Sequence, residues 1–431
     1  MVSLMKKDDI FSTPVWQGVP APLFSKVIGT DQKYDLSIVG AGILGLVTAL
    51  FAARSGVSVC VLDSGLVGGG ASGLNGGQVI PGLKYDPEDI IKHLGAERGE
   101  RLASFVGASS DRVFSLIKDE KLDVYQSRTG WIQASLRMEA LKTAAARVTQ
   151  WQSRGADVAL LDKVQIQALT GARGYAGGWI DRRAGVIDPL AYVRELARIA
   201  VNSGVHIFEE TKVSRIVSNG SSWELETSAA IVKAQKVLLA TNAYSDDLLL
   251  ELKRSLVPVH SFQIATARLP EMLGATILPG GQAVSDSRRV LAYYRLSPDG
   301  RFVLGGRGGM SEPSSADDWN HLIRTMVRLF HQLAGIKIEK RWFGRVALTP
   351  DHWPHLHQPE SGLWAFVGCQ GRGVALMTAM GQSLGRFFAD GDQGPLPFPV
   401  TPIQPIAFHS MHKIAVAATI GIYRTLDAFN L

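Results

Sequence analysis

Residues 34–78 read YDLSIVGAGILGLVTALFAARSGVSVCVLDSGLVGGGASGLNGGQ. An apolar run ends at Gly40, and Gly40, Gly42 and Gly45 follow at the spacing GxGxxG. A helix-like stretch runs to about Arg54, and a second apolar run, Val57 to Leu62, ends at Asp63. Strand, glycine turn, helix, strand and acid in this order describe a dinucleotide site. Gly40 permits the tight turn, Gly42 lets backbone approach a pyrophosphate, and Gly45 lets the helix pack on the strand. The free N–H groups of Ile43 and Leu44 at the helix start would receive the phosphates. Asp63, with Ser64 beside it, would accept from ribose hydroxyls.

Composition narrows the class. The 431 residues suit two or three domains, and 46% hydrophobic with 19% charged residues is ordinary for a globular enzyme. The net charge of +6 is scattered, with no run dense enough for a phosphate track, so a nucleic-acid partner is not expected. Lys6 and Lys7 are followed by Asp8 and Asp9 rather than by a signal-peptide core. The two cysteines, Cys60 and Cys369, offer no obvious disulfide, and a cytoplasmic, reducing location is expected. No Cys/His set has metal-ligand spacing, so no metal is expected. The apolar segment 414–423 reads as a helix packed on the body, with membrane or partner contact as the alternative.

The chain divides as follows. Residues 1–33 are a proline-bearing lead-in wrapped on the surface. The cofactor domain is discontinuous, over 34–85, 175–250 and 345–390. The substrate domain takes 86–174 and 251–344, and 391–431 form a tail. Val124 to Ala134 reads as a strand pair turning near Thr129-Gly130. The pair Val290 to Leu296 and Arg301 to Gly305, joined through Ser297-Pro298-Asp299-Gly300, reads as a hairpin. The fold class is α/β, with a Rossmann-like ββα domain and a second α+β domain built on an antiparallel sheet.

Five stretches carry a resemblance: GAGILG with Asp63, GGGASGLNGGQV (68–79), LLATNAYS (238–245), YYRLSPDGRFVLGGR (293–307) and GCQGRGVALMTAMGQSLG (368–385). Over roughly 34–388 the chain resembles the D-amino-acid oxidase superfamily of FAD-dependent enzymes. It looks most like the gamma-glutamylputrescine oxidoreductase branch, with glycine and sarcosine oxidases more distant. The resemblance implies FAD. It places Ala71, Ser72, Asn75, Gly76, Gly77 and Gln78 against the diphosphate and flavin, Val213 against the adenine, and Thr241 and Asn242 where the chain meets FAD again. Gly371, Arg372, Gly373 and Val374 would start the helix that seats the flavin. Relatives often carry Arg where this chain has Leu74, and some place a His in this loop as a covalent flavin anchor; Leu74 can do neither, so the resemblance implies non-covalent FAD here, and Cys369 is read as a pocket neighbour.

The same resemblance implies oxidation of the C–N bond of an amine or amino acid by hydride transfer to flavin N5. The imine would hydrolyse and O2 would be reduced to H2O2. A quinone- or carrier-linked dehydrogenase of an amino acid or hydroxy acid, and a non-catalytic flavin subunit, are the alternatives; a homo-oligomer stays open. Candidate catalytic residues are Tyr294, favoured over Tyr293 as the cavity-facing tyrosine, then Arg307, Trp342, Arg372 and His260. Arg288 and Arg289 are further carboxylate candidates, and His352 an acid–base one.

Overall fold

The computed structural model describes residues 13–20, 32–288, 291–391 and 395–409. The run Lys33–Val39 forms the centre of a parallel sheet because its second half is apolar on both faces, with Leu36, Ile38 and Val39 all buried. It pairs in parallel with Val59–Leu62 on one side and Ile231–Leu239 on the other. His206–Phe208 extends the sheet beyond Val59–Leu62, and Leu363–Val367 beyond Ile231–Leu239. Val213–Ser218 and Trp223–Thr227 form an antiparallel arm on the first half of Ile231–Leu239. Among the described residues no helix is long and apolar enough to cross a membrane. The segment 414–423 lies outside the described residues.

Two helices cover one face of this sheet. The nucleotide helix, Ile43–Arg54, is buried along almost its whole length. The closing helix, Gly373–Ala389, packs on it through Gly381 and Gly385. A Cβ at Gly381 would stand 2.8 Å from Val47 Cβ, and one at Gly385 would stand 2.7 Å from Thr48 O. Side chains there would force the helices apart. Because 381 meets 44 and 47 while 385 meets 48 and 52, the helices run parallel. At about 1.5 Å of rise per residue, the closing helix starts roughly 8 Å beyond the start of the nucleotide helix.

The second sheet has eight strands in the order Ile338–Leu348, Val257–Arg268, Arg301–Arg307, Ala292–Leu296, Ala283–Asp286, Trp131–Ser135, Gly177–Asp181, Val158–Leu161. The hairpin through Asp299-Gly300 is present. The sheet is mixed rather than purely antiparallel, since Ala283–Asp286 runs parallel to Trp131–Ser135. A small sheet of Gln78–Val79, Gly185–Ile187 and Gln126–Ser127 joins the two domains.

Several expected boundaries move. Gln126–Ser127 and Trp131–Ser135 are no hairpin, because the first pairs in the small sheet and the second in the large one. The helices over 87–119 bury Ile90, Leu102, Val106, Val113 and Ile117 in the core shared with Leu44 and Val47, so they belong to the cofactor domain. Gly177–Asp181 belongs to the substrate sheet. The lead-in does not simply wrap the surface, because Trp16 is buried between the domains.

Candidate functional site

The nucleotide turn is built so that only backbone fits. Gly40 has φ +113, a region that disfavours side chains, and its Cβ would stand 3.0 Å from Ala240 O. A Cβ at Gly45 would lie 2.0 Å from Gly40 O, and one at Gly42 would lie 2.8 Å from Ser72 Oγ. Ile43 N–H donates to Ser72 Oγ at 3.0 Å, so Ser72 stands at the mouth of the helix where an anion is favoured. The side chains of Ile43 and Leu44 are buried, and the Ile43 N–H expected to be free is taken by Ser72, so Ser72 stands between it and a ligand. Asp63 accepts from Ala41 N and Gly65 N at 2.7 and 2.9 Å. Burial nevertheless holds its carboxyl above the usual range, outweighing those two bonds. Ser64 is exposed beside it. Val213 is buried and paired with Thr227, so it can offer a ligand little more than main chain.

Three turns meet at the carboxyl ends of adjacent parallel strands. Thr241 Oγ1 bonds Ser245 Oγ at 2.8 Å. Asn242 accepts from Gly368 N at 3.0 Å and donates to Cys369 Sγ at 3.4 Å, tying its own loop to the closing turn. Burial pushes the Cys369 thiol up, away from the reactive thiolate.

The loop at 68–78 is held by side chains that reach across domains. Leu74 O accepts from Gln263 Nε2 at 2.7 Å and from Trp342 Nε1 at 3.0 Å, while Asn75 O accepts from Trp16 Nε1 at 2.9 Å. Ala71 O and Ser72 O accept from Asn75 Nδ2, and Asn75 Oδ1 accepts from Gly77 N at 2.8 Å. The expectation that Asn75 contacts phosphate or flavin is thereby corrected: its side chain is spent within the loop. Gly77, at φ +66, leaves no room for a Cβ, which would stand 2.2 Å from Ile187 O. Gln78 accepts from Ser285 Oγ at 3.2 Å and so bridges to the substrate sheet.

Arg295 is a site residue that the sequence does not mark. It is fully buried, donates from Nη1 to the carbonyls of Ile187, Gly77 and Gly76 at 2.6, 3.2 and 3.4 Å, and stacks over Trp16. Burial lowers its guanidinium to about 10. Nothing in YYRLS distinguishes this arginine from a surface one; only its register does.

Register also decides the substrate face. Ser261 pairs with Arg307, Gln263 with Trp342 and Gly305, Gly305 with Tyr293, and Tyr293 with Ser285. These residues share one face, directed at the loop 74–77 and the closing helix. Tyr293 lies on it, its hydroxyl 2.7 Å from Ser261 Oγ and its ring against the position of a Gly76 Cβ. Tyr294 points the other way into the Phe302–Phe330 core and donates to Tyr175 OH at 3.2 Å, so the cavity-facing tyrosine is Tyr293. His260 is corrected likewise: it lies on the core-side face, packs on Phe343 and meets Gly309 O at 3.2 Å. Trp342 is on the right face but fully buried beneath the loop, which makes it a support of Leu74 rather than a cavity wall. Arg307 stays on the Tyr293 face. Arg288 is engaged by the buried Asp286 and Arg289 lies outside the described residues.

Arg372 caps the closing helix at the far end of this face. Its Nη1 donates to Pro81 O at 2.7 Å and its guanidinium lies 5.6 Å over the Trp131 ring. Burial lowers it to about 10, assisted by the charge of Arg147. Gly371 is exposed beside it, at φ +80, and Val374 is buried.

These residues fit an extended dinucleotide. A Cβ-free cradle and an open helix start lie at one end, and a second helix start lies roughly 8 Å further on. Between them Gln263 Oε1 is buried without a hydrogen-bond partner among the described residues and stands 3.4 Å from the position of a Gly76 Cβ.

Comparison with known proteins agrees. Residues 35–386 match the family model described as DAO, FAD dependent oxidoreductase. The chain is 31% identical to the probable oxidoreductase OrdL of Haemophilus influenzae, over 84% of each chain. It is 30% identical to the gamma-glutamylputrescine oxidoreductase of Escherichia coli, over 85% of this chain and 88% of that one. Among solved structures, glycine oxidase from Geobacillus kaustophilus superposes with a TM-score of 0.73 at 21% identity, covering 86% of this chain and 99% of that one.

Proposed function

The chain belongs to the DAO family of FAD-dependent oxidoreductases, and from its site we propose that it oxidises the C–N bond of an amine or amino acid. One observation carries this reading. The closing helix projects its start past the nucleotide helix, and its cap residue Arg372 lies over Trp131 of the substrate sheet, in the same sheet as the strands that carry Tyr293 and Arg307. FAD supplies there a two-electron acceptor for a hydride from the substrate carbon. The chain's own work is to hold and orient. Trp342, Gln263, Trp16 and Arg295 fix the loop carbonyls, and Tyr293 and Ser261 present hydroxyls to the cavity. The positive field of Arg372 disfavours an ammonium and favours the neutral amine that hydride loss requires. The imine product then hydrolyses to a carbonyl compound and ammonia or a smaller amine.

The FAD is non-covalent in this account, because Leu74 offers no attachment atom and Cys369 is a buried thiol bonded to Asn242. Acid precipitation should therefore release all flavin into the supernatant. O2 is the favoured acceptor, with H2O2 as product. A quinone- or carrier-linked dehydrogenase is the second reading, and peroxide yield per amine oxidised separates them. Because OrdL and gamma-glutamylputrescine oxidoreductase match at 31% and 30%, the branch is set by substrate and not by identity.

The test is anaerobic reduction of the bound flavin by a panel of gamma-glutamyl polyamines, cyclic secondary amino acids, D- and N-methyl amino acids and hydroxy acids. Bleaching by an amine supports the reading. Bleaching by hydroxy acids alone overturns it, and no bleaching by any member points to a flavin-binding subunit.

A further inference from the structure

Residues 13–20 precede the stretch 35–386 that matches the family, yet they reach the cofactor loop at both of its ends. At one end Trp16, only 4% exposed, enters between the domains beside Ala265, Val303 and Trp342, and its Nε1 donates to Asn75 O at 2.9 Å. At the other end Gly18, at φ +62, lies against the helix Pro189–Asn202, where a Cβ on it would stand 2.9 Å from Leu190 Cγ. Leu190 in turn faces the start of the loop, since a Cβ at Gly68 would stand 2.6 Å from Leu190 Cδ1. Two further bonds fasten the segment: Gly18 N donates to Asp188 Oδ2 at 3.4 Å, and Val19 O accepts from Arg194 Nη1 at 2.7 Å. Residues 13–20 thus form a strap from the substrate sheet, across the loop 68–78, to a helix of the cofactor domain.

Trp16 completes a set. The carbonyls of Leu74, Gly76 and Gly77 accept from Gln263, Trp342 and Arg295, all on the substrate sheet, and Asn75 O accepts from the strap. The Trp16 ring also lies 5.0 Å from the Arg295 guanidinium and edge-on to Trp342 at 6.0 Å. Arg295 is fully buried, bonds only carbonyls and makes no ion pair among the described residues. Lifting the ring away would let water reach that guanidinium and compete for the loop carbonyls. Asn75 spreads the constraint. Its side chain ties Ala71 O, Ser72 O and Gly77 N together, so the loop moves as one piece from Ser72, at the mouth of the nucleotide helix, to Gly76, against Tyr293. We propose that Trp16 is a positioning residue of the cofactor site, and that docking of the strap and binding of FAD are coupled. The proposal rests on FAD lying against this loop and not on the amine chemistry. By linkage, the factor by which the docked strap tightens FAD is the factor by which FAD holds the strap in place. A plain interdomain staple would stabilise the fold with or without FAD and leave FAD affinity unchanged.

The test titrates the full-length apoprotein with FAD, and follows backbone amide exchange of residues 13–20 by mass spectrometry with and without FAD. In wild type FAD should slow that exchange by roughly tenfold or more. Trp16→Phe keeps a ring over Arg295 but offers Asn75 O no donor, and should raise the FAD Kd roughly fivefold. Trp16→Leu loses the ring as well and should raise it by roughly tenfold or more. Gly18→Val leaves Trp16 and every loop residue in place, but its φ and the contact with Leu190 lift the strap, so it should raise the FAD Kd too. The exchange measurement needs no variant, so it decides the matter even where a substitution prevents folding. Equal exchange with and without FAD overturns the proposal. So does a wild-type FAD Kd in Trp16→Leu alongside a Tm lowered equally in apoprotein and holoprotein, because the strap would then be a staple. If wild type binds no FAD, the cofactor reading fails and the coupling with it. If FAD binds and protects the strap but no amine reduces it, the coupling stands and the amine-oxidation reading fails.

Discussion

The two sheets are constrained in different ways. In the parallel sheet the limiting contacts are backbone against backbone. A Cβ at Gly45 would stand 2.0 Å from Gly40 O and one at Gly385 would stand 2.7 Å from Thr48 O, and neither carbonyl can move aside. In the Tyr293 hairpin of the substrate sheet the corresponding contact is to a side chain, although at the sheet's far end Gly177 and Gly178 again face backbone, Leu161 O and Gln133 O. A Cβ at Gly305 would meet the Tyr293 ring at 2.2 Å, which a rotation of that ring can relieve. The cofactor end should therefore respond to substitution in an all-or-none way, and the substrate end by degrees.

Gly45→Ala tests the first half of that contrast and carries the largest expected effect. It should cost at least about 3 kcal/mol in urea unfolding and yield protein without FAD. Gly305→Ala should keep the flavin and change substrate kinetics instead. If Gly305→Ala also purifies colourless, or Gly45→Ala retains FAD, the contrast breaks down.

Trp342→Phe probes the boundary between the sheets. It removes one of the two donors to Leu74 O and should weaken FAD binding by about 1–2 kcal/mol, measured by flavin titration of the apoprotein. An effect on kcat with full flavin affinity would return Trp342 to the cavity wall.

The tyrosine pair sharpens the second half. Tyr293→Phe should lower kcat/KM at unchanged stability. Tyr294→Phe should cost about 1 kcal/mol, because Tyr175 OH is left with no partner, and leave kcat/KM unchanged. The reverse pattern would place the cavity on the other face of the sheet.

This difference between the sheets also explains what the sequence reveals. The cofactor end depends on residues that must be glycine, serine or acid at fixed spacing, so Gly40, Gly42, Gly45, Asp63 and Ser72 can be read directly. The offset of the two helices is written in Gly381 and Gly385, although the parallel packing that gives them meaning comes from the fold. The substrate end depends on which face a strand presents. A shift of one residue exchanges Tyr293 for Tyr294, and side chains alternate without any local mark of which face is buried. Arg295 illustrates the same limit, since a buried arginine bound to carbonyls looks like a surface cation in sequence. Asn75 shows the converse: a polar residue in a glycine-rich loop invited a ligand role, and the loop itself uses all of it.

The most direct test of the account is a crystal structure of the FAD-loaded protein. It should show the flavin ring between the start of the closing helix and the Tyr293 face of the substrate sheet. A ring placed against Tyr294 and His260 would contradict it.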